Sequence, residues 1–409
     1  MDKKKIKWKS IIIVLVIVIV TNLTTLCVAN YVSFNLPNGK VLVSRNTYEN
    51  VMDFQKLYTI KDKLKKYYLE DIDMSALVDG AAAGMVEAVG DPYTTYMNAK
   101  EFKDFYSQTE GNYVGLGIQV AVKDDKIVVV SVFENSPAKK VGIISGDIIE
   151  SVNGVTVEGK DLEKAVATMK GEKGGAVDLK MSRENSGTYD VKAVRDEIEM
   201  ITVKSEMIDN QVGYIQVSMF DENTSGNFEK AIKELQGSGM KSLIVDLREN
   251  PGGLLDQTVN MCSQFIGKGK NIVYTVDKNG KRSDYNSQGG IAEGLPLTIL
   301  IDGGSASASE IFTGAIKDYK LGTLVGAKTF GKGVVQTTFY RDRDGFGDGT
   351  ALKVTISKYY TPNGQNIHGI GIEPDIAVEY PEELKTKTYD RTVDPQFQKA
   401  LEVAKEKVK

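Results

Sequence analysis

Three short segments of this 409-residue chain set chemically capable side chains beside unobstructed backbone. The first is Asp302-Gly303-Gly304-Ser305-Ala306-Ser307-Ala308-Ser309-Glu310-Ile311. The apolar run 296–301 before it reads as a buried strand that two glycines end. Small residues then open a helix whose apolar face is Ile311, Phe312, Ala315, Ile316 and Tyr319. A serine at such a turn exposes its hydroxyl beside helix N-terminal N–H groups, which suit a developing oxyanion. Ordinary helix capping uses the same residues. Local chemistry leaves the choice among the three serines open.

A nucleophilic serine needs a base. His368 is the only histidine, so a Ser-His-Asp triad would depend on it alone. It lies in the polar stretch 363–369, where a surface-loop role is the simpler reading. A lysine can serve instead if burial leaves its amine neutral. Lys332 is the candidate, in Thr329-Phe330-Gly331-Lys332-Gly333-Val334-Val335-Gln336. Strand alternation puts Lys332, Val334 and Gln336 on one face, so the Gln336 amide could hold the lysine amine. The third segment, Asp246-Leu247-Arg248-Glu249-Asn250-Pro251-Gly252-Gly253, runs a buried strand into a turn. A glycine N–H there could donate to an oxyanion opposite Ala308 N–H, and Gly252 would serve almost as well as Gly253.

Two other matches fail on their own chemistry. Gly326 to Lys332 fits a phosphate-binding loop until Gly333 takes the place of the magnesium-binding Ser or Thr. Asp342-Arg343-Asp344-Gly345 lacks the later acidic ligands of a calcium loop and reads as a hairpin turn.

The elements that must position these segments follow from pattern. Beyond Arg195 the chain reads as α/β, with strands over 212–217, 242–247, 296–301, 332–340 and 351–359. Helices fall over 224–235, 309–319 and 397–405. Residues from about 113 to 195 form a compact β-rich module, with turns at Asp124-Asp125-Lys126 and Asn153-Gly154. Residues 31–100 read as helical, with Val51, Phe54, Leu57 and Tyr58 on one helix face and a second helix over 74–89 stopping at Gly90-Asp91-Pro92. Lysines 3, 4, 5, 7 and 9 precede an uncharged stretch, 10–29, which fits a membrane anchor with its N-terminus cytoplasmic. A cleaved signal peptide is the competing reading.

Composition excludes several classes. The net charge of −4 gives no excess of cations for nucleic acid. One histidine and two cysteines cannot assemble a zinc site or a disulfide framework.

Together the segments resemble the carboxyl-terminal processing (tail-specific) serine proteases over roughly 48–380. Gly90-Asp91-Pro92-Tyr93, the 115–118 loop, Thr361-Pro362-Asn363-Gly364 and Gly369-Ile370-Gly371-Ile372-Glu373-Pro374-Asp375 add to the likeness. The resemblance implies Ser307 as nucleophile, Lys332 as general base and Gln336 as its orienting partner. Its dyad spacing, 332 minus 307 or 25 residues, is what selects Ser307. It implies an oxyanion hole of Gly253 and Ala308, a supporting Asp318, and no cofactor. The middle module becomes PDZ-like, with Gly115, Leu116, Gly117 and Ile118 holding a substrate's terminal carboxylate. Lys170 stands where family members often carry an arginine.

The expected fold is α/β multidomain, with a PDZ-like domain and a crotonase- or ClpP-like protease core. Its divisions are a basic tail (1–9), an anchor or signal (10–29), a helical region (30–100), the PDZ-like domain (101–195), the catalytic domain (196–380) and a helical tail (381–409). The expected substrates are extracytoplasmic proteins with apolar C-termini, and a homodimer is compatible with the helices. A non-catalytic PDZ scaffold and a crotonase-type acyl-CoA enzyme are the alternatives. An intact set of chemical residues argues against the first, and an exported chain against the second.

Overall fold

The structure, a computed structural model, describes residues 8–31, 34–36, 40–42, 45–133, 135–183, 187–385 and 389–408. It divides into two units, residues 1–89 and 90–409. The first holds a 24-residue helix, Trp8–Tyr31, then a short hairpin, Phe34–Leu36 with Lys40–Leu42. Helices Arg45–Asp53, Gln55–Tyr67 and Met74–Glu87 follow. The expected apolar stretch 10–29 falls on the first helix, and several of its side chains lie outside those described. Among the described residues, no helix is long and apolar enough to cross a membrane. Asp73 starts Met74–Glu87 by accepting the Ser75 and Ala76 N–H groups. Val51, Phe54, Leu57 and Tyr58 are all exposed.

The second unit contains the β-rich module and the catalytic lobe. In the module the strand order is Gly187–Val194, Ala176–Arg183, Ile148–Val152, Lys126–Val132 and Ile118–Lys123. Val177, Leu179 and Met181 alternate inward along one strand onto Ile127, Val129 and Ile149. Positive φ at Asn153 and Gly154 makes the expected two-residue hairpin turn. Chain enters and leaves this module on two adjacent antiparallel strands, Asn112–Gly115 and Asp196–Glu199. The helix before it, Ala99–Glu110, had a visible start signal in the capping box formed by Asn98 and Glu101.

The catalytic lobe is built on a sheet whose central strands are parallel: Val212–Val217, Ser242–Asp246, Leu297–Ile301 and Gly322–Gly326. Strand Val203–Ile208 pairs antiparallel at one edge, and Ile376–Ala377 pairs parallel at the other. The middle strands Ser242–Asp246 and Leu297–Ile301 are buried throughout because both faces are covered. Ile215, Val245, Ile299 and Leu324 face a core shared with helices Thr224–Gly237, Leu255–Ser263 and Ala308–Asp318. Alternate residues Tyr214, Ile244, Leu300 and Val325 face the C-terminal helix Pro395–Glu406.

A second, antiparallel sheet joins Arg282–Asn286, Asn271–Asp277, Ala351–Tyr360 and Val334–Phe339. Strand Thr95–Met97 pairs with Ala351–Lys353 of this sheet.

Phe312, on the helix after the serine cluster, is fully buried and packs edge-on against Phe228 and Phe265 at ring separations of 6.5 and 6.0 Å. Phe312→Ala is expected to destabilise the catalytic lobe by about 3–5 kcal/mol in urea unfolding. A loss under about 1 kcal/mol would contradict a close-packed aromatic core at this position.

Candidate active site

All three segments meet at the carboxyl ends of the parallel strands, the usual crevice of an open α/β sheet. Strand Leu297–Ile301 leads through 302–306 to Ser307, the residue before helix Ala308–Asp318. Ser305 and Ser309 are fully buried and spend their hydroxyls on carbonyls, Ser305 on Leu247 at 2.7 Å and Ser309 on Asn250 at 2.9 Å. Ser307 alone of the three is partly exposed. Its backbone is held at φ 53°, ψ −111°, a conformation that an L-residue keeps only under surrounding constraint.

The Pro-Gly-Gly turn lies against this serine. A Cβ at Gly252 would sit 2.8 Å from Ser307 Cβ and 2.9 Å from Ala308 N, so only glycine allows the approach. Asn250 fastens the turn: its amide donates to Val217 O at 2.7 Å, and its side-chain oxygen accepts Gly252 N–H at 2.9 Å. That bond occupies the Gly252 donor. The N–H groups of Gly253 and Ala308 have no acceptor among the described residues.

Glu310 joins Ser307 and the lysine loop. Fully buried, its Oε2 accepts Ser307 N–H at 2.9 Å and Lys332 N–H at 2.8 Å. Its Oε1 accepts Thr329 Oγ1–H at 2.6 Å and Gly331 N–H at 2.7 Å. Sequence reading missed this role, although Ser307 and Glu310 carry the spacing of a capping box, which was the available signal. Tyr359, also buried, donates its hydroxyl to Ser307 O at 3.1 Å.

Lys332 is partly buried between two glycines. A Cβ at Gly333 would approach His368 N to 2.5 Å, so its absence lets the loop press on 368–372. There Ile372 N–H donates to Thr329 Oγ1 at 2.7 Å, which explains the glycine-rich motif at 369–372 as a brace. Burial lowers the lysine pKa and the neighbouring Lys353 charge lowers it further, while Asp91 and Glu310 oppose the shift. The Lys332 amine makes no hydrogen bond among the described residues and lies 4.8 Å from the Tyr93 ring centroid.

No hydrogen bond joins Gln336 to Lys332 among the described residues. The regular strand starts at Val334, and its pairing slips between Val335 and Gln336, which breaks the alternation assumed from sequence. The Gln336 amide donates instead to Thr355 Oγ1 at 3.3 Å. Asp318 sits at the far end of the helix, where its carboxylate accepts Asn363 N–H at 2.8 Å and fixes the turn after Tyr359. His368 is exposed and packs edge-on against Tyr93.

In the β-rich module, Gly115 ends a strand, Leu116 is buried and Gly117 takes φ +72°. The carbonyls of Leu116 and Gly117 accept from Ala138 and Phe133 N–H, while their own N–H groups have no acceptor among the described residues. Ile118 begins the last strand in the sheet order, so one side of that strand is unpaired. Lys170 lies over the Tyr113 ring at 6.0 Å. Arg195 bonds the carbonyls of Thr168 and Met169 at the end of helix Leu162–Met169.

Comparison with known proteins gives three matches along the chain. Residues 30–101 match the activating protease CtpB N-terminal domain, 114–192 a PDZ domain, and 211–378 peptidase family S41. The carboxy-terminal processing protease CtpA of Bacillus subtilis (strain 168) is 37% identical over 382 residues, covering 93% of this chain and 79% of that protein. A carboxy-terminal-processing protease of Bartonella bacilliformis is 36% identical over 355 residues, covering 85% and 80% respectively. A solved S41 protease structure from Bacteroides fragilis superposes with a TM-score of 0.52 at 15% identity, covering 83% of this chain and 91% of that one, and so shares the fold.

In Glu310→Gln, either orientation of the amide turns an NH2 toward two existing donors. The variant is expected to lose roughly 2–4 kcal/mol of stability. Hydrogen exchange should quicken in peptides covering 305–312 and 329–334 and stay unchanged in 176–183. Unaltered exchange at both segments would refute the carboxylate as their common anchor.

Proposed function

This chain belongs to peptidase family S41 as a carboxy-terminal processing serine peptidase, and from that premise we propose that Ser307 and Lys332 are its catalytic dyad. Ser307 Oγ attacks the scissile carbonyl while neutral Lys332 accepts its proton and later returns it to the leaving amine. The N–H groups of Gly253 and Ala308 stabilise the tetrahedral oxyanion. Water, deprotonated by the same lysine, then releases the acyl group. The observation that carries this reading is the shared carboxylate: Glu310 Oε2 holds the backbones of both residues within 2.9 Å. Partial exposure of Ser307 between two buried serines, and a Gly252 donor already used by Asn250, support the particular residues chosen. Gln336 keeps its side-chain oxygen as an acceptor while its NH2 donates to Thr355 Oγ1, which supports a role as orienting partner for the lysine amine.

The free N–H groups at Leu116 and Gly117 beside an open strand edge favour capture of a substrate's C-terminal carboxylate, with the peptide added as a strand. We propose that substrates are proteins with accessible apolar C-termini, and that their binding relieves an inhibition of the catalytic lobe by the PDZ domain. The lysine-rich start and the uncharged stretch 10–29 support an anchor that leaves the catalytic part extracytoplasmic, or a secreted enzyme if that segment is cleaved. Pairing of two chains through the exposed helix faces of 45–87 belongs to the same proposal.

Cleavage of an unfolded protein with an apolar C-terminus should be abolished by Ser307→Ala and by Lys332→Ala, and retained by Ser309→Ala if that variant folds. Activity surviving Ser307→Ala would overturn the site. Because the base acts when neutral, kcat/KM should rise with pH through the lysine pKa. Burial and Lys353 put that rise below the pH expected for a free lysine, about 10.4. A profile that falls over the same range would exclude a lysine base.

A further inference from the structure

The turn Asp91–Thr95 reaches the site by a route that the proposed dyad chemistry does not use. It is tied down at several points. Asp91 Oδ1 accepts Tyr93 N–H at 3.1 Å, and Asp91 Oδ2 accepts Thr94 Oγ1–H at 2.5 Å. Thr94 Oγ1 in turn accepts Thr355 N–H at 3.1 Å, and strand Thr95–Met97 continues in register along Ala351–Lys353. His368 closes on the Tyr93 ring edge-on, with centroids 6.1 Å apart at 66°. A half-buried ring held from these directions is a fixed platform, and the Lys332 amine lies 4.8 Å from its centroid.

We propose that Tyr93 is a positioning residue for Lys332, holding its ammonium on the ring face in the resting enzyme so that the base forms when the amine leaves the ring for Ser307. The inference rests on Lys332 being the general base. A ring face attracts a cation through its quadrupole and does little for a neutral amine, so the ring favours the protonated form. The other groups around the amine divide. Asp91 on the turn and Glu310 on the helix also favour the charge, whereas burial and Lys353 on the neighbouring strand oppose it. Tyr359 is buried, and the charges of Glu310 and Tyr93 disfavour its ionisation, while His368 packs edge-on against the Tyr93 ring. Tyr93 and Asp91 thus offset the desolvation that would otherwise leave a standing neutral base beside an exposed serine. A protease parked in this way stays inactive until substrate draws the lysine across.

The test is the pH dependence of kcat/KM for the full chain on a quenched fluorescent peptide with an apolar C-terminus. It would be run for the parent, Tyr93→Phe, Tyr93→Leu, Tyr93→Trp and Lys332→Ala. Tyr93→Phe keeps the ring face and should retain the parent's rising limb. Tyr93→Leu should move that limb to lower pH by about half a unit to one unit and raise kcat/KM several-fold below it. Tyr93→Trp, with a stronger ring face, should move it to higher pH, and carries the test if the leucine variant does not fold. Limbs coincident with the parent in the folded variants, while Lys332→Ala is inactive, would overturn the role of Tyr93 and leave the dyad standing. Activity in Lys332→Ala would overturn both.

Discussion

A single buried carboxylate holds the start of the serine-bearing helix and the lysine loop together. Glu310 has no contact with water, and the four donors around it come from two stretches of chain about twenty residues apart. Burying that charge would be costly without full pairing, so the fold must deliver all four donors at once. The requirement fixes the register between the helix start and the lysine loop. It also helps hold Ser307 at positive φ, because the same oxygen that takes its N–H takes the lysine's. The glycines at 331 and 333, the brace at 369–372 and the buried Tyr359 hydroxyl all serve that arrangement.

A second buried charge does for the 246–253 turn what Glu310 does for Ser307 and the lysine loop. Arg248 stands two residues before Asn250 and lies between Asp246 at the strand end and Asp394, with contacts of 2.7 Å to each. Asp394 is also the N-cap of the C-terminal helix, accepting Gln396 and Phe397 N–H. The helix that covers one face of the sheet is thereby joined to the loop that carries Gly253. Removing either acid would leave part of a buried guanidinium without its charged partner, so the tail is part of the lobe's framework.

Legibility in the sequence followed the range of the interactions. Strand-to-turn transitions at 246–253 and 296–307 could be read because composition and periodicity are local. The two-residue turn at Asn153-Gly154 could be read from its own chemistry. The bond from Gln336 to Thr355 could not be read, because periodicity along one strand says nothing of its partner, where the pairing slips after Val335. The contacts of Tyr93 with Lys332 and of Tyr359 with Ser307 were not legible, since the partners lie 239 and 52 residues away in the chain. The distinction among Ser305, Ser307 and Ser309 needed the structure too, for it turns on which hydroxyls meet carbonyls of another loop.

The strands Asn112–Gly115 and Asp196–Glu199, by which the chain enters and leaves the PDZ domain, pair with each other. A module whose two ends meet side by side is an insertion, and an insertion can be exchanged. The catalytic framework does not thread through it: strand Thr95–Met97 before it and Val203–Ile208 after it both pair within the lobe. Such a joint lets selection, or an engineer, substitute another recognition cassette at the same ribbon and redirect the cutting lobe to a different molecular label without rebuilding the blade.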